Sequence, residues 1–274
     1  MDLTITILTW LLPLLYLAVL IEHGLVFALR VRVDARSPWL ILIVLLNVAY
    51  LVLRSAGPGP ALGTPPTLPA ILALSIAAVY ALVELITRDR RTGVFVLAVV
   101  FIFQYTASML FSHQTTAAGV EMSRMSSLWG GLHVILALLS YTALALAAVC
   151  GLLFIMVRRS LKRHDFGVLY DRLPPLTMLG HMTWHALLTG FICLSVALAA
   201  GPLLLAGHGG EGLSPKIIAK IVIGLAAWLI YAVAIFGKLV RKWDQSRISV
   251  IALIGFVIIT ILIVVSAIMS EPSA

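Results

Sequence analysis

The sequence predicts an all-α fold, a polytopic membrane helix bundle of about eight transmembrane helices with both termini on the outer, periplasmic side. Three observations carry this reading. Of 274 residues, 62% are hydrophobic and 11% charged, where soluble domains carry about a quarter charged residues. The apolar residues fall into runs of about 20, the length a helix needs to cross roughly 30 Å of hydrocarbon. Arg and Lys gather in alternate connections between those runs. The mean hydropathy is +1.11, and residues 1–274 read as a single integral membrane domain with no room for a separate soluble one.

The first run, near residues 4–29, is too long for a signal-peptide core, lacks a basic start and is followed by Arg30, Arg32 and Arg36, so it is expected to persist as the first helix. Further helices are expected near 38–54, 68–87, 93–112, 130–157, 176–206, 215–237 and 248–269. Pro38, Pro69 and Pro215 mark helix starts, where a missing amide hydrogen costs no helical bond.

The connections after the first, third, fifth and seventh helices hold Arg30, Arg32, Arg36, Arg88, Arg90, Arg91, Arg158, Arg159, Lys162, Arg163, Arg172, Lys238, Arg241, Lys242 and Arg247. Only Arg54, Arg124, Lys216 and Lys220 remain of the 19 basic residues. Cytoplasmic connections are the basic ones, which places both termini outside. The same pattern explains the net charge of +8 as membrane topology and removes nucleic acid as a partner; the lipid bilayer is the partner it implies.

Few residues carry chemistry. Cys150 and Cys193 lie in apolar runs without a CxxC pair, against a disulfide framework or a thiol relay. No P-loop, GxSxG or dinucleotide fingerprint occurs, so no catalytic residue is assigned and nothing marks an enzyme. Polar groups at membrane depth are costly and draw a functional hypothesis: Glu22 and His23 in the first helix, Asn47 in the second, Glu84 in the third and Gln104 in the fourth. Adjacent helical residues point about 100° apart, so Glu22 and His23 face different neighbours and read equally as satisfied structural groups. Glu84 precedes Arg88 by one turn, the spacing of an interfacial ion pair.

Imidazole is the usual protein ligand of haem iron. On the expected topology His113, His133 and His208 lie toward the outer face, and His164, His181 and His185 toward the inner one. His181 and His185 share a helical face at a spacing used by zinc sites, but no carboxylate lies between them, so no metal is expected beyond haem iron.

Leu132-His133-Val134 through Ser140-Tyr141, followed by Arg158-Arg159-Ser160-Leu161-Lys162, resembles the cytochrome c assembly membrane protein family, with its CcsA-like, HemX-like and YpjD-like branches. Leu173-Pro174-Pro175-Leu176, Trp184-His185, Gly190-Phe191, Ser214-Pro215-Lys216, Trp228-Leu229-Ile230-Tyr231-Ala232 and Leu253-Ile254-Gly255-Phe256 extend the resemblance over about 130–268. It implies haem as the candidate cofactor, a cytochrome or membrane-protein partner, and a multi-pass location in the bacterial inner membrane. Carried over by position, His133 resembles the family's outer iron-ligating histidine. His113 and His208 are weaker candidates for a second ligand, and His185 matches a histidine of YpjD-like sequences.

The departures are as informative. The stretch Gly207–Ser214 contains no tryptophan where the resemblance implies a tryptophan-rich haem-handling loop, so its aromatic stacking platform is missing. Asn47 and Phe236 stand where histidines are expected, and the chain closes on Ser270–Ala274 where another would follow the last helix. Three of four implied ligands are therefore absent, which points to the HemX/YpjD-like branch, degenerate in haem ligands. Haem propionates would pair with Arg54, Arg124, Lys216 or Lys220, although headgroup contact explains those residues equally well. The alternatives are a non-catalytic scaffold or accessory subunit of a respiratory or photosynthetic complex and, ranked lowest, a small-solute transporter built on Glu22, His23, Asn47 and Gln104.

Overall fold

The structure, a computed structural model, describes residues 2–29, 37–56, 67–87, 90, 92–112, 128–164, 173–206 and 215–269. Among them are eight helices and no strand: α1 (Asp2–Leu29), α2 (Pro38–Ala56), α3 (Thr67–Thr87), α4 (Gly93–Ser112), α5 (Leu128–Arg163), α6 (Leu176–Ala206), α7 (Pro215–Leu239) and α8 (Gln245–Met269). Seven are long and apolar enough to cross a membrane, and α2 is the shorter apolar helix. Its 19 residues still extend about 28 Å at 1.5 Å per residue. The protein is a multi-span membrane protein, and the helices begin within three residues of their expected starts.

One end departs from expectation. Arg158, Arg159, Lys162 and Arg163, expected in a connection, form the last turns of α5. That helix has 36 residues, about 54 Å, and therefore outreaches the hydrocarbon. Arg and Lys are good helix formers and are favoured near the negative end of the helix dipole, so nothing stops the helix before His164, which takes a left-handed φ of 53°.

The helices form two compact units, residues 1–125 and 126–274. In the first, α1 packs against α2 and α4, and α3 packs against the same two helices. An internal proline shapes this unit. Pro13 lies inside α1 and has no amide hydrogen for the carbonyl four residues earlier, that of Thr9. The Thr9 carbonyl instead accepts a 2.6 Å bond from the Ser108 hydroxyl of α4, so a broken helical bond becomes an interhelical one.

In the second unit α5 packs most extensively against α6, α8 lies against α5 and α7, and α6 also meets α7. Lipid tails offer no hydrophobic gain for helix association, so close approach of small residues drives the packing. Ala143, Ala145, Ala147, Ala148 and Cys150 are buried along α5. Ser140 donates to the Gly190 carbonyl of α6 at 2.8 Å, where a Cβ on Gly190 would press on Leu144.

The four helices of this unit are tied at one end. The Lys238 ammonium donates to Gln245 Oε1 at 2.8 Å, and Gln245 Nε2 donates to the Gly180 carbonyl at 3.1 Å. Arg158 pairs with Asp244, just before the first residue of α8, where a carboxylate also complements the helix N-terminus. The Arg158 hydrogen bond holds the Asp244 carboxyl below the usual carboxylate range, against a small opposing desolvation. A depressed acid stabilises the fold above its unfolded pKa, and that contribution is lost as pH falls through the folded pKa. Asp244 is 57% exposed, so the pair contributes no more than about 1 kcal/mol. Asp244→Asn should therefore lower the thermal midpoint slightly at neutral pH, and the difference from wild type should vanish as the pH falls below the folded pKa of Asp244, measured as thermal unfolding in detergent against pH.

Candidate functional site

His133 lies in the second turn of α5, half-buried against α6. Its Nδ1 is 2.8 Å from the Ala197 carbonyl oxygen. A carbonyl only accepts, so Nδ1 carries the proton and donates it. In the neutral ring this bond selects the Nδ1–H tautomer and puts the lone pair on Nε2. That is the state in which an imidazole binds a metal, with its other nitrogen held by a backbone carbonyl.

His113 and His208 lie outside the described residues. His181 and His185 are exposed on α6 with their rings stacked, 6.4 Å between centroids, and no group of three metal-ligating side chains occurs among the described residues. Phe236, at one of the two substituted positions, is 57% exposed on α7. Of the outer basic residues, Arg124 lies outside the description and Lys220 is exposed. Arg54 is engaged: its guanidinium lies 3.6 Å from the Phe111 ring centroid and donates to the Tyr50 hydroxyl at 3.2 Å.

The structure also gathers the intramembrane polar residues of the first unit into three tiers. Thr9, Tyr16 and His23 recur every seven residues of α1, so they share one face, and that face is buried. At the first tier the Thr9 hydroxyl meets the Tyr50 hydroxyl at 3.0 Å. In the middle, Asn47 Nδ2 donates to Tyr16 Oη at 3.0 Å and to Gln104 Oε1 at 3.2 Å. Asn47, expected as an intramembrane polar residue and as a substituted ligand position, is thus fully buried and bonded within its own unit.

The third tier is ionic. His23 Nε2 lies 3.2 Å from Glu84 Oε2, while Glu84 Oε1 accepts from the Ser37 amide at 2.8 Å and from Arg90 Nε at 3.0 Å. Arg90 Nη1 reaches Glu22 Oε1 at 3.3 Å, and Ser37 Oγ reaches Glu22 Oε2 at 3.4 Å. Glu22 and His23 do face different neighbours, as helical geometry requires, yet both neighbours belong to one cluster. Glu84 is 3% exposed, and Arg90, in the connection between α3 and α4, is 7% exposed because two carboxylates compensate its burial. Arg88, the partner expected for Glu84, lies outside the described residues. Tyr16, Ser37, Tyr50 and Arg90 went unselected by sequence reasoning, although the seven-residue recurrence on α1 is visible there.

An all-helical, multi-span membrane protein is the class that this fold defines. Within that class, the chain belongs to the cytochrome c assembly protein family, whose model matches residues 66–272. It is similar to the inner membrane protein YpjD of Escherichia coli strain K12, 28% identical over 129 residues that cover 47% of each chain. It is also similar to the cytochrome c biogenesis protein CcsA of Parasynechococcus marenigrum strain WH8102, 24% identical over 176 residues that cover 57% of each. The chain spans about half the length of the curated relatives it matches. No solved structure matches it significantly. The family match covers more than the resemblance read from the residues, extending upstream of α5 to α3 and α4.

Proposed function

We propose that the chain is a haem-handling, cytochrome c biogenesis-type protein of the bacterial inner membrane, of the YpjD-like branch, in which His133 presents Nε2 to haem iron. One observation supports it above the others: the Nδ1–H to Ala197 carbonyl bond, which orients the ring and leaves Nε2 as the nitrogen available to a metal. The family match and the relatives named for the inner membrane and for cytochrome c biogenesis agree with it. The orientation proposed with it puts both termini outside, on the distribution of basic residues.

Among the described residues, one imidazole fits haem: His133 would hold the iron, and the Ala197 carbonyl of α6 would orient its ring. His113 and His208, both outside the described residues, stay the candidates for a second imidazole. Haem, when bound, supplies the redox-active iron and the visible absorption that reports it. The chain keeps the ring oriented through the Ala197 carbonyl. His185 has no comparable backbone anchor among the described residues and serves as the control.

Protein purified from haem-replete membranes should show a Soret band. His133→Ala should reduce haem affinity beyond the roughly 10–100-fold typical of outer-shell changes around a bound metal, and His185→Ala should leave it unchanged. A colourless wild-type protein, or a band indifferent to His133, overturns the reading. A second reading, an accessory subunit that has reused the scaffold, is supported by Asn47 being bonded to Tyr16 and Gln104 and by the outward Phe236. It predicts co-purification with a larger complex and haem content independent of His133.

A further inference from the structure

The third polar tier of the first unit carries a proton count that its hydrogen bonds determine. His23 Nδ1 is 2.9 Å from the Val19 carbonyl oxygen, an acceptor only, so that nitrogen holds its hydrogen. Glu84 Oε1 already accepts from the Ser37 amide and from Arg90. Its other oxygen faces His23 Nε2 at 3.2 Å, and the two side chains are 0% and 4% exposed. With a neutral ring and an ionised carboxylate, two lone pairs would oppose each other in a sealed apolar site. One further proton between Nε2 and Oε2 turns that opposition into a charge-assisted hydrogen bond, whichever atom it sits on.

Among the described residues, the groups facing the pair are Glu22 on α1, the ring of Tyr80 on α3 edge-on to His23 at 6.3 Å, and Arg90 between α3 and α4; Ser37 precedes α2 and Gly93 opens α4, neither of them charged.

We propose that the His23–Glu84 contact is a proton-binding site, occupied at neutral pH, with Glu22 as its exchange residue toward solvent. Arg90 and Ser37 each touch both carboxylates, and Glu22 is 34% exposed where Glu84 is 4%. A proton arriving from water therefore meets Glu22 before the sealed pair, and Ser37 and Arg90 link the two carboxylates. The site joins α1, α3 and the residue before α2, so its occupancy controls whether these elements stay together. It is independent of haem and of His133.

The test uses the full-length protein in detergent, labelled with 15N-histidine and 13C-glutamate. At neutral pH, either His23 protonated on both ring nitrogens by NMR or a buried carboxylic-acid stretch in the infrared that disappears in Glu84→Gln supports the site. A singly protonated His23 beside an ionised Glu84 overturns it, and this measurement needs only the wild type. Because the folded state alone holds this proton, the thermal midpoint should fall as pH rises through the range where the site empties. His23→Gln should flatten that alkaline dependence, and an unchanged dependence counts against the proposal. Glu22→Gln should keep the proton and slow its exchange with solvent at least about tenfold; unaltered exchange removes Glu22 from the route.

Discussion

Glu84→Ala is expected to be the most destabilising substitution in the first unit, by about 3–5 kcal/mol, the range for removing one partner of a buried ion pair. The reason is the number of donors it abandons. His23, Arg90 and the Ser37 amide all converge on this carboxylate, which is 3% exposed. Glu84→Gln retains an oxygen for the Ser37 amide and should cost less, though it still leaves Arg90 short of a counter-charge. Thermal unfolding of the two variants in detergent checks the order. An alanine variant within about 1 kcal/mol of wild type, the size of an ordinary substitution, would show that the cluster contributes little.

Gly93→Ala is the second large effect, and its sign is set by competition between two terms. Glycine to alanine in an open helix gains up to about 1 kcal/mol. At Gly93, a Cβ would collide with the Tyr80 hydroxyl and the edge of the His23 ring. Both neighbours are buried, at 1% exposure each, and overpacking of this kind costs about 1–3 kcal/mol, so the loss wins. Gly201 provides the contrast, because a Cβ there meets nothing within 4 Å; Gly201→Ala should be neutral or stabilising. Combining Gly93→Ala with Tyr80→Phe removes one of the colliding atoms and should recover part of the midpoint. If the single variant is as stable as wild type, α4 does not approach α1 and α3 as closely as described.

The helices were readable because a membrane span is a one-dimensional property, about 20 apolar residues between polar interruptions, and each segment meets that condition by itself. The end of α5 was not, since the loop was inferred from charge, and charge marks where hydrocarbon stops rather than where the helix does. The family was readable from short runs in order, from Leu132-His133 to Gly255-Phe256. His133 as a candidate came from that resemblance; nothing in its sequence neighbourhood points to Ala197, 64 residues away.

By itself, then, the sequence determined an all-helical membrane protein of the cytochrome c assembly family, with basic residues sorted between alternate connections. Composition and local order carry those properties, and lipid enforces them helix by helix. Only the tertiary structure decided that Glu84 meets His23 and Arg90, that Asn47 meets Tyr16 and Gln104, and which nitrogen of His133 is left open. Apart from Glu84–Arg90, six positions apart, those pairings join residues 31 to 64 positions apart across different helices. A buried polar group takes whichever partner the packing brings within about 3 Å, and packing against neighbouring helices is not written in the period of any single one.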